Sequence, residues 1–276
     1  MSTTAHEVFA ASEAADLPRG TAQDRHFLLA CALLLAVTVW GTVYWCGSMA
    51  DGMPMPGGWT MSMAWMRMPG QTWLQAAASF MGMWVLMMVA MMLPSLVPML
   101  SRYRAAVRAD EIRLGVLTTV VGTGYFLVWT IVGALVYPIG LAVAAAEMQS
   151  QRFAQCVPFA TGFVLLLAGA FQLTPWKARH LACCRCTPTR DQPLLPNVGS
   201  AWRHGLRLGR LCASCCTGLM LALLVGDVMN LGTMALIAVA ITAERLMPQP
   251  QRVAGATATV LMATGVFAIL RACAAH

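Results

Sequence analysis

Charged side chains are scarce in this sequence. Asp, Glu, Lys and Arg together make up 11% of the 276 residues, whereas roughly a quarter of the residues in a typical soluble domain are charged. Hydrophobic residues make up 59% of the chain, and the mean hydropathy is +0.67. This composition argues against a soluble globular protein and indicates a chain that crosses a membrane several times.

Ionisable groups are rarer still within the apolar stretches. Transporters of conventional solutes usually carry such groups at mid-membrane depth, so their scarcity disfavours that class. The net charge of +7 does not indicate nucleic acid as a partner, because the positive residues flank the apolar runs. There they act as topology signals and meet anionic lipid headgroups.

We also expect no cleavable signal peptide. Residues 1–26 are polar and too acidic for the start of a signal peptide, and no small-residue cleavage site follows the first apolar run. We therefore expect residues 1–26 to form a disordered polar tail and the first apolar run to be a retained helix.

Seven apolar windows approach the length of about 20 residues that a helical span needs. The fifth and sixth are short and share a turn, which is typical of a helical hairpin. The sequence therefore predicts an all-α, polytopic membrane helix bundle of about seven transmembrane helices within residues 27–276. The windows are 27–46, 74–100, 114–137, 153–173, 211–225, 229–243 and 253–270.

The distribution of Lys and Arg predicts the orientation. With a cytoplasmic N-terminus, 15 of the 18 lie inside and three, Arg67, Arg152 and Arg271, lie outside. This asymmetry predicts a multi-pass membrane protein with its N-terminus in the cytoplasm. Residues 47–73 then form an outer loop and residues 178–207 a cytoplasmic loop.

Methionines recur at helical spacing in the second window. Met83, Met87 and Met91 lie four apart on one face, and Met88 and Met92 form a second row beside them. Thioether sulfur is uncharged and soft, so it can be buried in an apolar helix and still coordinate Cu(I). The rows therefore suit either core packing or a soft metal ion.

The outer loop is the second methionine-rich stretch. It holds seven of the 21 methionines, and packing explains so many apolar side chains in a solvated loop poorly. An extracytoplasmic methionine cluster suits the capture of Cu(I) or Ag(I) where thiols would be oxidised. The candidate ligands in this loop are Met53, Met55, Met61 and Met63.

Cysteines cluster in the fifth window. Cys212, Cys216 and Met220 lie four apart on one helix face, and Cys215 is one turn from Cys212. Two thiolates and a thioether suit a soft ion with two or three ligands, and its binding would release the thiol protons. The row would lead into the membrane from the cytoplasmic side.

The cytoplasmic loop adds Cys183, Cys184 and Cys186. One residue between Cys184 and Cys186 is fewer than the two to four of a closed zinc site, so this loop alone does not predict one. Glu244 and Arg245 are expected to be an interfacial pair with a mainly topological role. Cys46, Cys156 and Cys273 fall at outer helix ends, where any two could form a disulfide.

Four segments, taken in order, resemble a known family. It comprises the bacterial predicted metal-binding integral membrane proteins of the domain of unknown function 2182, also described as tyrosinase-associated and copper-chaperone-like. The resemblance implies metal residues among the second-helix methionines, in Cys183–Cys186 and in the CxxCC of the fifth helix. This chain has CCRC where the family usually has a single Cys, and Thr217-Gly218 where a Trp is common. The segments are MWVLMMVAMMLPSLVPM, FQLTPWKARHLACCRCTP, LRLGRLCASCCTGLM and GDVMNLGTM.

These observations predict an integral membrane Cu(I)-binding protein, a copper chaperone or transporter for cuproenzyme maturation, with no enzymatic activity of its own. Ag(I) or Zn would be substitute ions. Expected partners are the lipid bilayer, a cuproenzyme or copper carrier protein, and other subunits of a membrane complex. Two alternatives remain: a membrane thiol oxidoreductase using CxxCC, and a structural accessory subunit of a larger membrane complex.

Overall fold

The computed structural model describes residues 22–48, 53–55, 59–62, 65–67, 70–107, 110–185, 195–226 and 228–274. Helices dominate this part of the chain, which confirms the predicted all-α class. A short antiparallel ribbon of two strands, β1 (Met53–Met55) and β2 (Trp59–Met61), precedes α2. The helices are α1 (Ala22–Ser48), α2 (Trp73–Ala106), α3 (Glu111–Gln149), α4 (Gln151–Gln172), α5 (Pro175–Arg185), α6 (Val198–Val225), α7 (Leu231–Leu246) and α8 (Pro250–Ala274).

Six of these helices, α1 to α4, α6 and α8, are long and apolar enough to cross a membrane. This is compatible with a multi-pass membrane protein. The sixth predicted window became α7, whose 16 residues extend roughly 24 Å at 1.5 Å per residue. That is short of the ~30 Å hydrocarbon core, so a seventh crossing stays a prediction.

Within the predicted cytoplasmic loop, residues 178–207, α5 and the first part of α6 are helical. The Asn197 side chain caps α6 by accepting a hydrogen bond of 2.7 Å from the Ser200 N–H. Exposed arginines line one side of this part of α6, while Ala201, Gly205 and Gly209 are buried on the other. These arginines lower the local hydropathy, so the sequence did not predict this amphipathic part of the helix.

At the N-terminus, α1 begins at Ala22 and so includes the end of the predicted tail. The rest of the tail, residues 1–21, lies outside the described residues.

Helix α2 lies in the interior of the bundle. Of its most apolar 18-residue window, 61% is buried, against 11% for the corresponding windows of α1 and α3. It packs against α1, α3 and α7, and a capping box between Thr72 and Gln75 fixes its start. The helix that carries the methionine rows is therefore the one most enclosed by others.

Glycines allow close contacts between the helices. A Cβ on Gly133 would lie 2.5 Å from the Trp84 ring, and one on Gly124 would lie 3.1 Å from the Trp202 carbonyl oxygen. Gly115 and Gly122 differ, because a Cβ there meets nothing within 4 Å. On α6, a Cβ at Gly205 would overlap the backbone carbonyl of Val121, so this glycine sets the α3–α6 contact.

A buried ion pair connects α5 to α7. The Lys177 Nζ lies 2.6 Å from Glu244 Oε2, and both side chains are almost fully buried. Glu244 Oε1 also accepts hydrogen bonds from Gln172 Nε2 at 3.2 Å and from Thr257 Oγ1 at 2.9 Å, while Lys177 donates to Gln172 Oε1. Glu244 is thus a structural connection between α4, α5, α7 and α8, a role that the sequence did not indicate.

We expect Gly205→Ala to lower the free energy of unfolding by about 1–3 kcal/mol, because the backbone of Val121 cannot yield to the new methyl group. Gly122→Ala is the matched control. It should stabilise or leave the protein unchanged, since alanine is the better helix former and the space is open. Thermal unfolding in detergent measures both, and equal midpoints would contradict the close contact.

Lys177→Met should destabilise the fold by about 3–5 kcal/mol, because it leaves the Glu244 carboxylate buried without its partner. The double variant Lys177→Met/Glu244→Gln should recover much of the loss, since the neutral amide still accepts hydrogen bonds from Gln172 and Thr257. Denaturant or thermal unfolding of single and double variants tests this. A double variant no more stable than the single one would contradict it.

Candidate metal site

Four thiols from two helices meet in the interior. Cys212, Cys215 and Cys216 lie on one face of α6, and Cys184 reaches them from α5; we call these four residues the cysteine cluster. The Sγ atoms of Cys212 and Cys216 are 3.8 Å apart, and those of Cys215 and Cys216 are 3.7 Å apart. None of the four side chains is more than 3% exposed. The structure thus unites two motifs that the sequence presents separately.

The guanidinium group of Arg245, on α7, lies against the cluster. Nη1 is 3.2 Å from the Sγ of Cys212, and Nη2 is 3.1 Å from the Sγ of Cys184. Arg245 is only 3% exposed, so it also has an internal role that the sequence did not indicate. A buried cation beside a thiol favours the thiolate, the form that binds metal ions.

Arg245 also joins the cluster to α2 and α3. Its Nη1 donates to Ser95 Oγ at 2.8 Å and to Tyr125 Oη at 3.3 Å, and its Nη2 lies 3.0 Å from Met99 Sδ. Tyr125 in turn donates from its hydroxyl to Cys212 Sγ at 2.9 Å. Five helices therefore supply side chains to one buried site.

Sequence reasoning missed Arg245, Tyr125, Ser95 and Met99. A signal for Arg245 was present, because it continues the stripe Met234, Ile237 and Ile241 at spacings of three and four residues, and all of these are buried. Ser95 and Met99 fall in the segment that carries the family resemblance. Nothing in the local pattern around Tyr125 distinguishes it from a packing residue.

Cys184 lies on α5, outside the six candidate spans. Hydrogen bonding with Cys215 holds the pKa of the Cys184 thiol below its ordinary value; the Arg245 charge acts in the same direction, and burial opposes both. Cys184 is therefore ionised more readily than a free cysteine, which prepares it to bind a soft cation.

The methionine rows lie in the same buried core as the cluster. Met83, Met87, Met88, Met91 and Met92 are each at most 3% exposed. Helices α2 and α6 both pack against α3 and α7, so the rows face the interior that also holds the cluster. Met99 continues the thioethers to Arg245, and Met220 is buried one turn beyond Cys216. The predicted orientation of both sulfur-bearing faces towards a common interior agrees with this arrangement.

Other predicted ligands lie elsewhere. Cys183 is exposed, unlike its neighbour Cys184. In the ribbon, Met61 is buried and Met55 is half-buried. Met63, Cys186 and the side chain of Met53 lie outside the described residues. Cys156 and Cys273 are free thiols, so no two of the three predicted outer cysteines form a disulfide.

Within the described ranges, no group of three or more His, Cys, Asp or Glu side chains is arranged to hold a metal ion. The three α6 cysteines project from a single helix, and the Arg245 guanidinium contacts the sulfurs of Cys184 and Cys212. A metal ion with several thiolate ligands would therefore require Arg245 to move aside. A soft ion with two sulfur ligands requires much less rearrangement.

Comparison with known proteins gave one result that identifies a family. No curated protein and no solved structure matches this chain. A family model, PpoB2, described as a copper chaperone, matches residues 81–268. The matched region contains both methionine rows, the cysteine cluster and Arg245. This chain therefore belongs to the PpoB2 copper chaperone family.

Proposed function

We propose that this protein is a Cu(I) chaperone or transporter of the bacterial inner membrane that binds its cargo at the cysteine cluster and supplies it for the maturation of a cuproenzyme. The observation that carries the proposal is that four buried thiols meet beside one guanidinium group, in the same buried core as the two methionine rows. Membership of a copper chaperone family and six apolar helices support it. In this proposal the protein catalyses no reaction.

The cysteine cluster suits Cu(I) because its sulfur ligands are soft and because a positive charge lies beside them. Two thiolates around one Cu(I) carry a net charge of −1, and a buried charge is costly unless a counter-charge lies nearby. Arg245 supplies that charge from within contact distance of Cys184 and Cys212. As copper binds, the thiol protons leave, and the guanidinium remains beside the anionic complex.

The methionine rows provide a route for the cargo. From Met83 to Met99 the helix advances roughly 24 Å at 1.5 Å per residue. Thioethers are neutral, so copper passes from one to the next without proton transfer. Binding should strengthen at the thiolates, which retain the ion until a partner, a copper carrier protein or the cuproenzyme itself, takes it.

We infer that the N-terminus is cytoplasmic, because this orientation puts 15 of the 18 Lys and Arg residues inside. It requires α7 to complete a seventh crossing despite its 16 residues, with local thinning of the bilayer. The cluster then lies towards the cytoplasmic side and the methionine-rich ribbon lies outside.

Burial favours this proposal over a thiol oxidoreductase. A thiol relay needs at least one cysteine that a partner can attack. The cluster cysteines are at most 3% exposed, so a partner's thiol cannot approach them, whereas in our proposal a metal ion reaches them along the buried thioethers.

We expect detergent-purified protein to contain copper, and Cys212→Ser/Cys216→Ser to lose most of it. Met87→Leu/Met91→Leu should also lower the copper content, because leucine keeps the volume and removes the sulfur. Elemental analysis per mole of protein measures both. Cys156→Ser and Met148→Leu, at exposed positions, are the matched controls. Unchanged copper in both double variants would contradict the site.

Arg245→Gln should weaken Cu(I) binding by about tenfold or more, equivalent to roughly 1.4 kcal/mol, because the bis-thiolate complex loses its counter-charge. Arg245→Lys should retain more of the affinity, since it keeps the charge. Competition with a Cu(I)-specific chelator under anaerobic conditions measures the difference. The control is Arg252→Gln, at an exposed position on α8. Equal affinities for the Gln and Lys variants would show that the charge is not what matters.

A further inference from the structure

A second pair of sulfur atoms meets away from the cysteine cluster. Cys46, near the end of α1, and Met229, in the turn between α6 and α7, are 183 residues apart in sequence. The Cys46 Sγ lies 3.9 Å from the Met229 Sδ, and both side chains are buried. A thiol and a thioether are thus brought together by the tertiary fold and not by helical spacing.

Contacts along α2 locate this pair at the far end of the methionine rows. The Trp45 ring lies 3.5 Å from the position of a Cβ on Gly82, so Cys46 is level with the first methionine of the rows, Met83. At the other end, Arg245 contacts Ser95 and Met99. Between Leu231 and Arg245, α7 advances roughly 21 Å, a distance similar to the roughly 24 Å that α2 advances from Met83 to Met99. The rows therefore run from the Cys46–Met229 pair to the cysteine cluster.

We propose that Cys46 and Met229 form a second Cu(I) site, distinct from the cysteine cluster, at which copper enters or leaves the methionine rows. The inference rests on the proposed function in one respect, that the cargo is Cu(I). On binding, the Cys46 thiol releases its proton to solvent and the Met229 thioether donates a lone pair, with no change in oxidation state.

With Cu(I) bound, the Cys46–Met229 site and the cysteine cluster would carry different net charges. One thiolate and one Cu(I) form a neutral unit, which the hydrophobic core that contains Cys46 and Met229 can hold without a counter-cation. Two thiolates at the cluster form an anion, and there the fold supplies Arg245. A ligand set of one thiolate and one thioether also binds more weakly than two thiolates, as a site of exchange requires.

The test measures whether bound Cu(I) protects the Cys46 thiol from alkylation. Anaerobic protein in detergent is given one to three equivalents of Cu(I) and then alkylated with N-ethylmaleimide, and the modification of Cys46 is measured by mass spectrometry of its peptide. We expect copper to slow this modification at least fivefold in the wild type and in Cys212→Ser/Cys216→Ser. Met229→Leu, which keeps the volume of the side chain, should abolish most of the protection.

Copper content provides the second measurement. Cys46→Ala and Met229→Leu should each lower the bound copper by the same amount, and the double variant should lower it no further, because both remove one site. Cys31→Ala, also on α1, and Met148→Leu are the matched controls and should bind as much copper as the wild type.

The outcomes separate this inference from the proposed function. Copper content and Cys46 protection that are unaffected by Met229→Leu, together with copper loss in Cys212→Ser/Cys216→Ser, would overturn the second site and leave the first intact. Wild-type protein that binds no Cu(I) under these conditions would overturn both.

Discussion

The interior of this bundle depends on one buried guanidinium group. Arg245 contacts sulfur atoms on α2, α5 and α6 and hydroxyl groups on α2 and α3. A cation removed from water is costly unless its donors are satisfied and a negative charge lies close by. Hydroxyl and thiol partners satisfy donors, but only ionised sulfur supplies the charge. The buried charge of Arg245 is therefore best balanced by a thiolate of the cysteine cluster, the same group at which we propose that copper binds.

Glu244, the neighbour of Arg245 on α7, is a buried anion, and its charge is balanced in a different way. The Glu244 carboxylate is neutralised by Lys177 and hydrogen-bonded by Gln172 and Thr257. Glu244 and Arg245 are adjacent on α7 but are buried in separate environments. Glu244 lies in an ion pair, whereas Arg245 lies among polarizable sulfur atoms. Because Lys177 and Cys184 share α5, the ion pair also holds in place the helix that delivers the fourth thiol. The stability of the fold and the position of Cys184, a proposed copper ligand, therefore both depend on this short helix.

The sequence predicted the parts of the site that depend on periodicity. Methionines and cysteines spaced four apart fall on single helix faces whatever the surroundings, and Met83, Met87, Met91, Cys212 and Cys216 are buried on those faces as expected. Sequence reasoning failed where charged residues were taken only as topology signals. Arg245 stands at the end of an apolar run, and the arginines of α6 made an amphipathic helix resemble a loop. The contacts between Cys184 and α6, and between Cys46 and Met229, join residues distant in sequence, so no local pattern could indicate them.

The burial of the methionine rows inside the bundle affects how readily their sulfur atoms are oxidised. Oxidation to the sulfoxide makes methionine polar and removes the soft lone pair that Cu(I) prefers. Copper itself promotes the formation of oxidants, so a surface row of thioethers would be damaged by the ion that it carries. Met87 and Met92 have no measurable exposure, and peroxide in the surrounding water cannot reach their sulfur atoms without an opening of the helices. Enclosure by α1, α3 and α7 thus preserves the donors in their reduced form.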